Sequence, residues 1–273
     1  MKRILLVLFA GALAGACSRN DSAKDEYINQ LRCDFLTECS AAGTRFGMVG
    51  DSWTDFFFGL PVSRDLHDWL ITEHGYSITS SVIAGQTAEV EVNQFRGFER
   101  VIRMSGPNLK YMLISLGGND MLANTGAYFP NPDPVLHSRL NRVEANLRNM
   151  IASGDFLKVQ LYGGASLQWF IHGYDYPNPE IEQSCVRGAI NAGMSQTAAF
   201  QMARDMVDHI NDQYRVMAAS VPNLHYIDLR GTLGGPPISS PLLKRDCIHP
   251  NDQGFRVLAD RFALGIEAVT PEK

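Results

Sequence analysis

A chain of 273 residues, 45% hydrophobic and 10% aromatic, is long enough for one sizeable domain with a full core, and two small domains describe it less well. Its 24 Lys and Arg against 29 Asp and Glu give a net charge of −5. With no Lys/Arg-rich run and no RNA-type aromatic motif, nucleic acid is not an expected partner.

In chain order, Met1-Lys2-Arg3 and the 13 apolar or small residues 4–16 form the basic and hydrophobic regions of an export signal, too short for an ordinary membrane span. The end of this segment reads in two ways. Ala14-Gly15-Ala16 is a small-residue cleavage site, and Ala14-Gly15-Ala16-Cys17 is similar to a bacterial lipobox with Cys17 lipidated, although Leu13 stands one place early. On the second reading residues 17–44 are a tether and N-terminal segment, and the protein is a periplasmic or outer-membrane lipoprotein attached through Cys17. On the first it is secreted.

Five cysteines are an odd number for an exported chain; assigning Cys17 to lipid leaves the even set Cys33, Cys39, Cys185 and Cys247. Three connectivities are open to them. The preferred pairing closes the short loop from Cys33 to Cys39 and leaves Cys185 with Cys247. No CxxC pair or paired-histidine spacing appears and the seven histidines are scattered, so no metal site is expected.

From residue 45 onward, short apolar runs alternate with amphipathic segments. Strands are expected at 45–49, 76–83, 111–116, 157–162 and 224–229, with helices at 63–74, 138–153, from 196 onward and at 251–268. Residues 130–134 and 174–179 read as turn-rich loops. In the third helix Phe200, Ala203, Val207, Ile210, Tyr214 and Met217 recur at spacings of three and four, a stripe read as core with no binding role. The expected architecture is an α/β domain over residues 45–273. It is a three-layer α/β/α sandwich with a central parallel sheet of about five strands. Ligands bind such sheets at the carboxyl ends of strands, where Gly50, Gly85 and Gly117 all fall.

Three short stretches carry chemistry. Gly50-Asp51-Ser52 ends the first strand and can hold a serine hydroxyl at a tight turn, as can any structural turn rich in these residues. Gly117-Gly118-Asn119-Asp120 ends the third strand with an amide that can donate to a carbonyl oxygen as charge develops on it. Asp246-Cys247-Ile248-His249-Pro250 places a carboxylate three residues before an imidazole, a spacing that lets the acid orient the ring.

Together these stretches resemble the SGNH hydrolases, also called GDSL esterases and lipases. Gly50-Asp51-Ser52 is similar to the family's first block, Ala84-Gly85-Gln86-Thr87 to its second, Gly117-Gly118-Asn119-Asp120 to its third and Asp246-Cys247-Ile248-His249-Pro250 to its fifth, in family order over residues 45–265. The resemblance implies Ser52 as nucleophile, His249 as base and Asp246 as its orienting partner. The Ser52 N–H, the Gly85 N–H and the Asn119 side chain would form the oxyanion hole, and no metal or cofactor is needed. Asp51 would support the loop. Trp53 stands where the family often has Leu, and Ala84 where Ser is common; Trp53 would pack under the turn or contact substrate.

Substrate choice would lie in residues 121–137, with Tyr128 and Phe129, and in residues 169–185, with Trp169, Phe170, His172, Tyr174 and Tyr176. Trp169 is a second candidate substrate contact. A Cys185–Cys247 bridge would fasten the second of these loops to the turn bearing Asp246 and His249. The implied activity is hydrolysis of carboxylic esters, with short acyl or sugar O-acetyl esters favoured and lipid acyl esters possible. Acyl transfer on the same residues, and a non-catalytic envelope binding module, are the alternatives.

Overall fold

Residues 44–55 and 63–273 are described by the computed structural model of the chain. The expected export signal, the tether, Cys17, Cys33 and Cys39 lie outside the described residues. Among those described, no helix is long and apolar enough to cross a membrane.

Five strands, β1 (Phe46–Gly50), β2 (Ile78–Val82), β3 (Tyr111–Ser115), β4 (Gln168–His172) and β5 (Leu224–Ile227), form one sheet in the order β2-β1-β3-β4-β5. Every pairing is parallel; Phe46, for example, sits opposite Ile78 on one side and Tyr111 on the other. Nearly every residue of β1 to β4 is buried, as expected when helices cover both faces of a parallel sheet. The helix Gly97–Ser105 packs on β1 and β2 and against the helix Pro132–Tyr162, which in turn packs on Gln196–Ser220 beside β4 and β5. A second group, Leu66–Thr72 and Asp252–Glu267, packs together and reaches β5. This is the expected α/β architecture.

The strand expected at 157–162 is not one. Those residues are the last turns of a 31-residue helix, Pro132–Tyr162, so the helix expected at 138–153 is twice as long, and its first turn takes up part of the loop expected at 130–134. The alternation Leu157-Lys158-Val159-Gln160-Leu161 mimics the period of a strand, yet Val159 and Leu161 are each 41% exposed while Lys158 is buried. The fourth strand is instead β4, inside the segment expected to be a specificity loop. Trp169, Phe170 and His172 are therefore wholly buried sheet residues. Trp169, expected as a substrate contact, is instead enclosed by the core and donates its indole N–H to Asp155 at 2.9 Å.

Candidate active site

The turn after β1 is built by its own backbone. The Asp51 N–H still pairs with Ser115 O of β3, at 2.9 Å, and the chain then folds back so that Thr54 N–H and Asp55 N–H both donate to Asp51 O at 3.0 Å. Gly50 is required because a Cβ there would collide with Thr54 Oγ1. Asp51 itself is buried. Its Oδ1 accepts from Trp53 N–H at 3.0 Å and Ser115 Oγ at 3.3 Å, and its Oδ2 from Tyr174 Oη at 2.5 Å. Burial pushes its carboxyl up to about 6, against the pull of these donors and of His249. Asp51 thus holds the turn, and Ser52 alone is left facing outward.

Trp53 is 3% exposed and sits under this turn, stacked on His172 and edge-on to Tyr174 and Phe255. Of the two roles expected for it, packing is what the geometry gives; its outer edge also reaches a pocket beside Ser52. The buried His172 ring behind it is pushed down to about 4 by burial and is neutral near pH 7.

The Lys244–Pro250 turn brings the other two groups across the sheet edge. Asp246 Oδ1 accepts from the N–H groups of Ile248 and His249 at 2.9 and 2.7 Å, and Oδ2 faces His249 Nδ1 at 2.8 Å. Burial alone would raise the Asp246 carboxyl, but the His249 ring and the two N–H donors outweigh it and hold it down at about 2. An ionised Asp246 only accepts, so Nδ1 carries the ring proton and Nε2 offers its lone pair to Ser52 Oγ, 2.9 Å away. This arrangement can draw the proton from Ser52 and return it to a leaving group.

Three restraints fix that turn. Cys247 is bonded to Cys185, with the two Cα atoms 6.0 Å apart; its carbonyl accepts from Asn178 N–H at 2.7 Å; and the buried Lys244 ammonium donates to Ile248 O at 2.7 Å. Burial pushes the Lys244 ammonium down to about 8, against the attraction of Asp175 and Asp246. The sequence carries no signal for Lys244, since a lone lysine in a polar stretch gives no sign that it will be buried.

The donors expected for an oxyanion hole come from the turn after β1 and the neighbouring strand ends. Gly85 has φ +81°, a left-handed backbone that a side chain would strain. Among the described residues, neither Ser52 N–H nor Gly85 N–H donates to a protein acceptor, so both remain available for a ligand. Asn119 Nδ2 donates to Gln86 O at 3.0 Å, using one of its two hydrogens and tying the third strand's turn to the second's. Gln86 Nε2 in turn donates to the buried Glu91 Oε2 at 3.0 Å. Glu91 opens a π-turn, Glu91–Phe95, a distortion frequent near functional sites. Its link to Gln86 had no visible sequence signal.

A pocket opens beside Ser52 and Asn119, walled by Met121, Leu122, Tyr174 and, from the helix Gln196–Ser220, Ala203, Val207 and Ile210. The stripe read as core is thus core over part of its length and pocket wall in its middle. Tyr128 is buried with its hydroxyl on Met121 O, Phe129 is 41% exposed, and Tyr176 binds Asp208 at 2.8 Å. Of the loop aromatics, only Tyr174 reaches the pocket. For a metal, ligand atoms of Asp65, His67 and Asp68 lie within 4.8 Å of one another, but Asp65 and Asp68 cap the helix Leu66–Thr72 for each other.

The same architecture is found in a lipase from a goat rumen metagenome, at a TM-score of 0.56 and 14% identity over 81% of this chain and 96% of that one. A carbohydrate acetylesterase from Sinorhizobium meliloti matches at 0.52 and 13% over 82% and 99%. An acetylxylan esterase from Geobacillus stearothermophilus matches at 0.50 and 18% over 82% and 94%. No curated protein matches the sequence. The family model of the GDSL-like lipases and acylhydrolases matches residues 48–257, more than half of the chain and the whole span from β1 into the last helix. The chain belongs to the GDSL-like lipase/acylhydrolase family and is a carboxylic ester hydrolase.

Proposed function

We propose that Ser52 attacks the carbonyl of a carboxylic ester while His249, oriented by Asp246, takes its proton, and that an acyl-enzyme forms and is hydrolysed by water activated at the same Nε2. The carbonyl oxygen would be held by the N–H groups of Ser52 and Gly85 and the second Nδ2 hydrogen of Asn119. The observation that carries this is the unbroken line from Asp246 Oδ2 through the ring to Ser52 Oγ, 2.8 and 2.9 Å. The Geobacillus acetylxylan esterase supports it: its catalytic mutants are at a serine, an aspartate and a histidine, the last two three positions apart, the spacing of Asp246 and His249.

The two acetylesterases among the structural neighbours favour acetyl esters, whereas the apolar walls beside Ser52 favour a larger acyl group. At the N-terminus, export and attachment through a lipidated Cys17 belong to the same reading, tested by the intact mass of the mature chain. The catalytic reading is tested by turnover of p-nitrophenyl esters and by mass-spectrometric location of a fluorophosphonate label, wild type beside Ser52→Ala. Loss of turnover and label together in the variant is expected. A wild type that hydrolyses no ester and takes no label overturns the reading.

A further inference from the structure

The helix Gln196–Ser220 separates two cavities. Ala203, Val207 and Ile210, at spacings of four and three, face the pocket beside Ser52. Met202 and His209 face a second pocket, partly open to solvent and lined on its other side by Tyr128, Leu136 and Met194. At 100° per residue Met206 falls between these two faces, and among the described residues it is the one residue that lines both cavities.

Building on the esterase reading above, we propose that the pocket beside Ser52 takes the acyl chain of the substrate, an unbranched chain longer than acetyl, and that Met206 closes its far end and sets the chain length accepted. Three observations carry this. First, geometry leaves the acyl group this direction: the carbonyl oxygen faces Asn119 and the Ser52 and Gly85 N–H groups, and the leaving oxygen must face His249 Nε2 to be protonated. The acyl chain is then left the remaining opening beside Ser52, the pocket walled by Met121, Leu122, Ala203, Val207 and Ile210.

Second, the pocket offers a polar substituent few partners. Asp51 is taken up by Tyr174 Oη, Trp53 N–H and Ser115 Oγ, and Asp175 by the N–H groups of Tyr176, Gly231 and Leu233. A sugar ring would bury hydroxyls against carbon there, at a desolvation cost, while methylenes gain from the transfer. Third, the stop is a methionine, 3% exposed, whose unbranched side chain repacks readily. Behind it lies the second pocket in place of packed core, so truncating it is expected to open the first pocket toward the second.

The test is the kcat/KM profile of wild type, Met206→Ala and Met206→Phe over p-nitrophenyl esters from acetyl to palmitoyl. Beside it runs a series of acetates with lengthening alcohols. Wild-type kcat/KM is expected to rise about fourfold per methylene up to an optimum beyond acetyl and then fall. Met206→Ala moves that optimum at least two carbons longer and Met206→Phe moves it shorter, with the alcohol profile unmoved. Because the optimum is a ratio within one preparation, partial unfolding of a variant does not shift it. An optimum at acetyl, an acyl profile unmoved in both variants, or a shift confined to the alcohol series each overturns the proposal. An enzyme that turns over no ester and leaves Ser52 unlabelled overturns the esterase reading, and the proposal falls with it.

Discussion

The Tyr174 hydroxyl donates to Asp51 Oδ2 at 2.5 Å, joining the loop after β4 to the turn after β1 across 123 residues of sequence. Both groups are buried, and this is the shortest of the three hydrogen bonds that keep the Asp51 carboxylate satisfied next to Ser52. Removing the donor leaves a buried carboxylate under-paired, which costs about 1–3 kcal/mol. Tyr174→Phe is therefore expected to lower the unfolding free energy by that amount, read as a lower denaturant midpoint with the slope unchanged, and to reduce kcat/KM about tenfold. In a double-mutant cycle with Asp51→Asn, a coupling energy below about 0.5 kcal/mol would show that the bond does not act on the turn.

Asn119 Nδ2 holds Gln86 O with one hydrogen, and on the proposed mechanism its second hydrogen is left for the oxyanion. Asn119→Ala is expected to cost about a hundred- to a thousandfold in kcat, roughly 3–4 kcal/mol of barrier, with KM changed far less. Steady-state kinetics on a p-nitrophenyl ester checks this. A loss confined to KM would mean that the amide binds substrate in the ground state and offers the transition state nothing extra.

The residues that meet at the sheet edge were legible because each sits in a short, ordered stretch whose local geometry the sequence itself encodes. Asp246 and His249 face each other across one turn, and Gly50 is dictated by Thr54 four residues on. What was not legible depends on distant partners. Periodicity marks Ala203, Val207 and Ile210 as buried but cannot tell a sheet from a pocket as the thing they face. The last turns of the helix Pro132–Tyr162 happen to alternate polar and apolar residues, and they displaced the true fourth strand into a supposed loop. The Tyr174–Asp51 bond joins segments 123 residues apart that no local pattern relates.

Glu91 gives the fold a pH dependence of known sign. Burial pushes its carboxyl up to about 7, opposed by Gln86, the N–H groups of Phe98 and Gly97, and Arg100. A folded-state value above the ordinary 4.5 means that its stabilising contribution is fully present below about pH 4.5 and is lost as pH rises through about 7. Asp51, raised to about 6, acts in the same direction. Glu91→Gln keeps an oxygen for Phe98 N–H and removes the charge. Melting temperatures from pH 4.5 to 8 are expected to fall less steeply in the variant than in wild type, with the two curves diverging between about pH 4.5 and 7 and running parallel above. Curves parallel over the whole range would show that Glu91 stays ionised throughout.

The Cys185–Cys247 bridge closes a loop across a sequence separation of 62. On the chain-entropy account such a crosslink is worth roughly 4 kcal/mol, through the freedom it removes from the unfolded chain. Its place beside Asp246 and His249 gives it a second effect, on the alignment of the turn. Replacing both cysteines by serine is expected to lower stability by about 2–4 kcal/mol and to reduce kcat more than KM, since the imidazole would sample positions away from Ser52 Oγ. Peptide mapping of the unreduced wild type should recover the two cysteines in one linked fragment. Either sulfur found free, or paired with another cysteine, removes the basis for both effects. If the double serine variant loses stability but keeps wild-type kcat, the bridge braces the fold, and the turn is aligned by Lys244 and Asn178 without it.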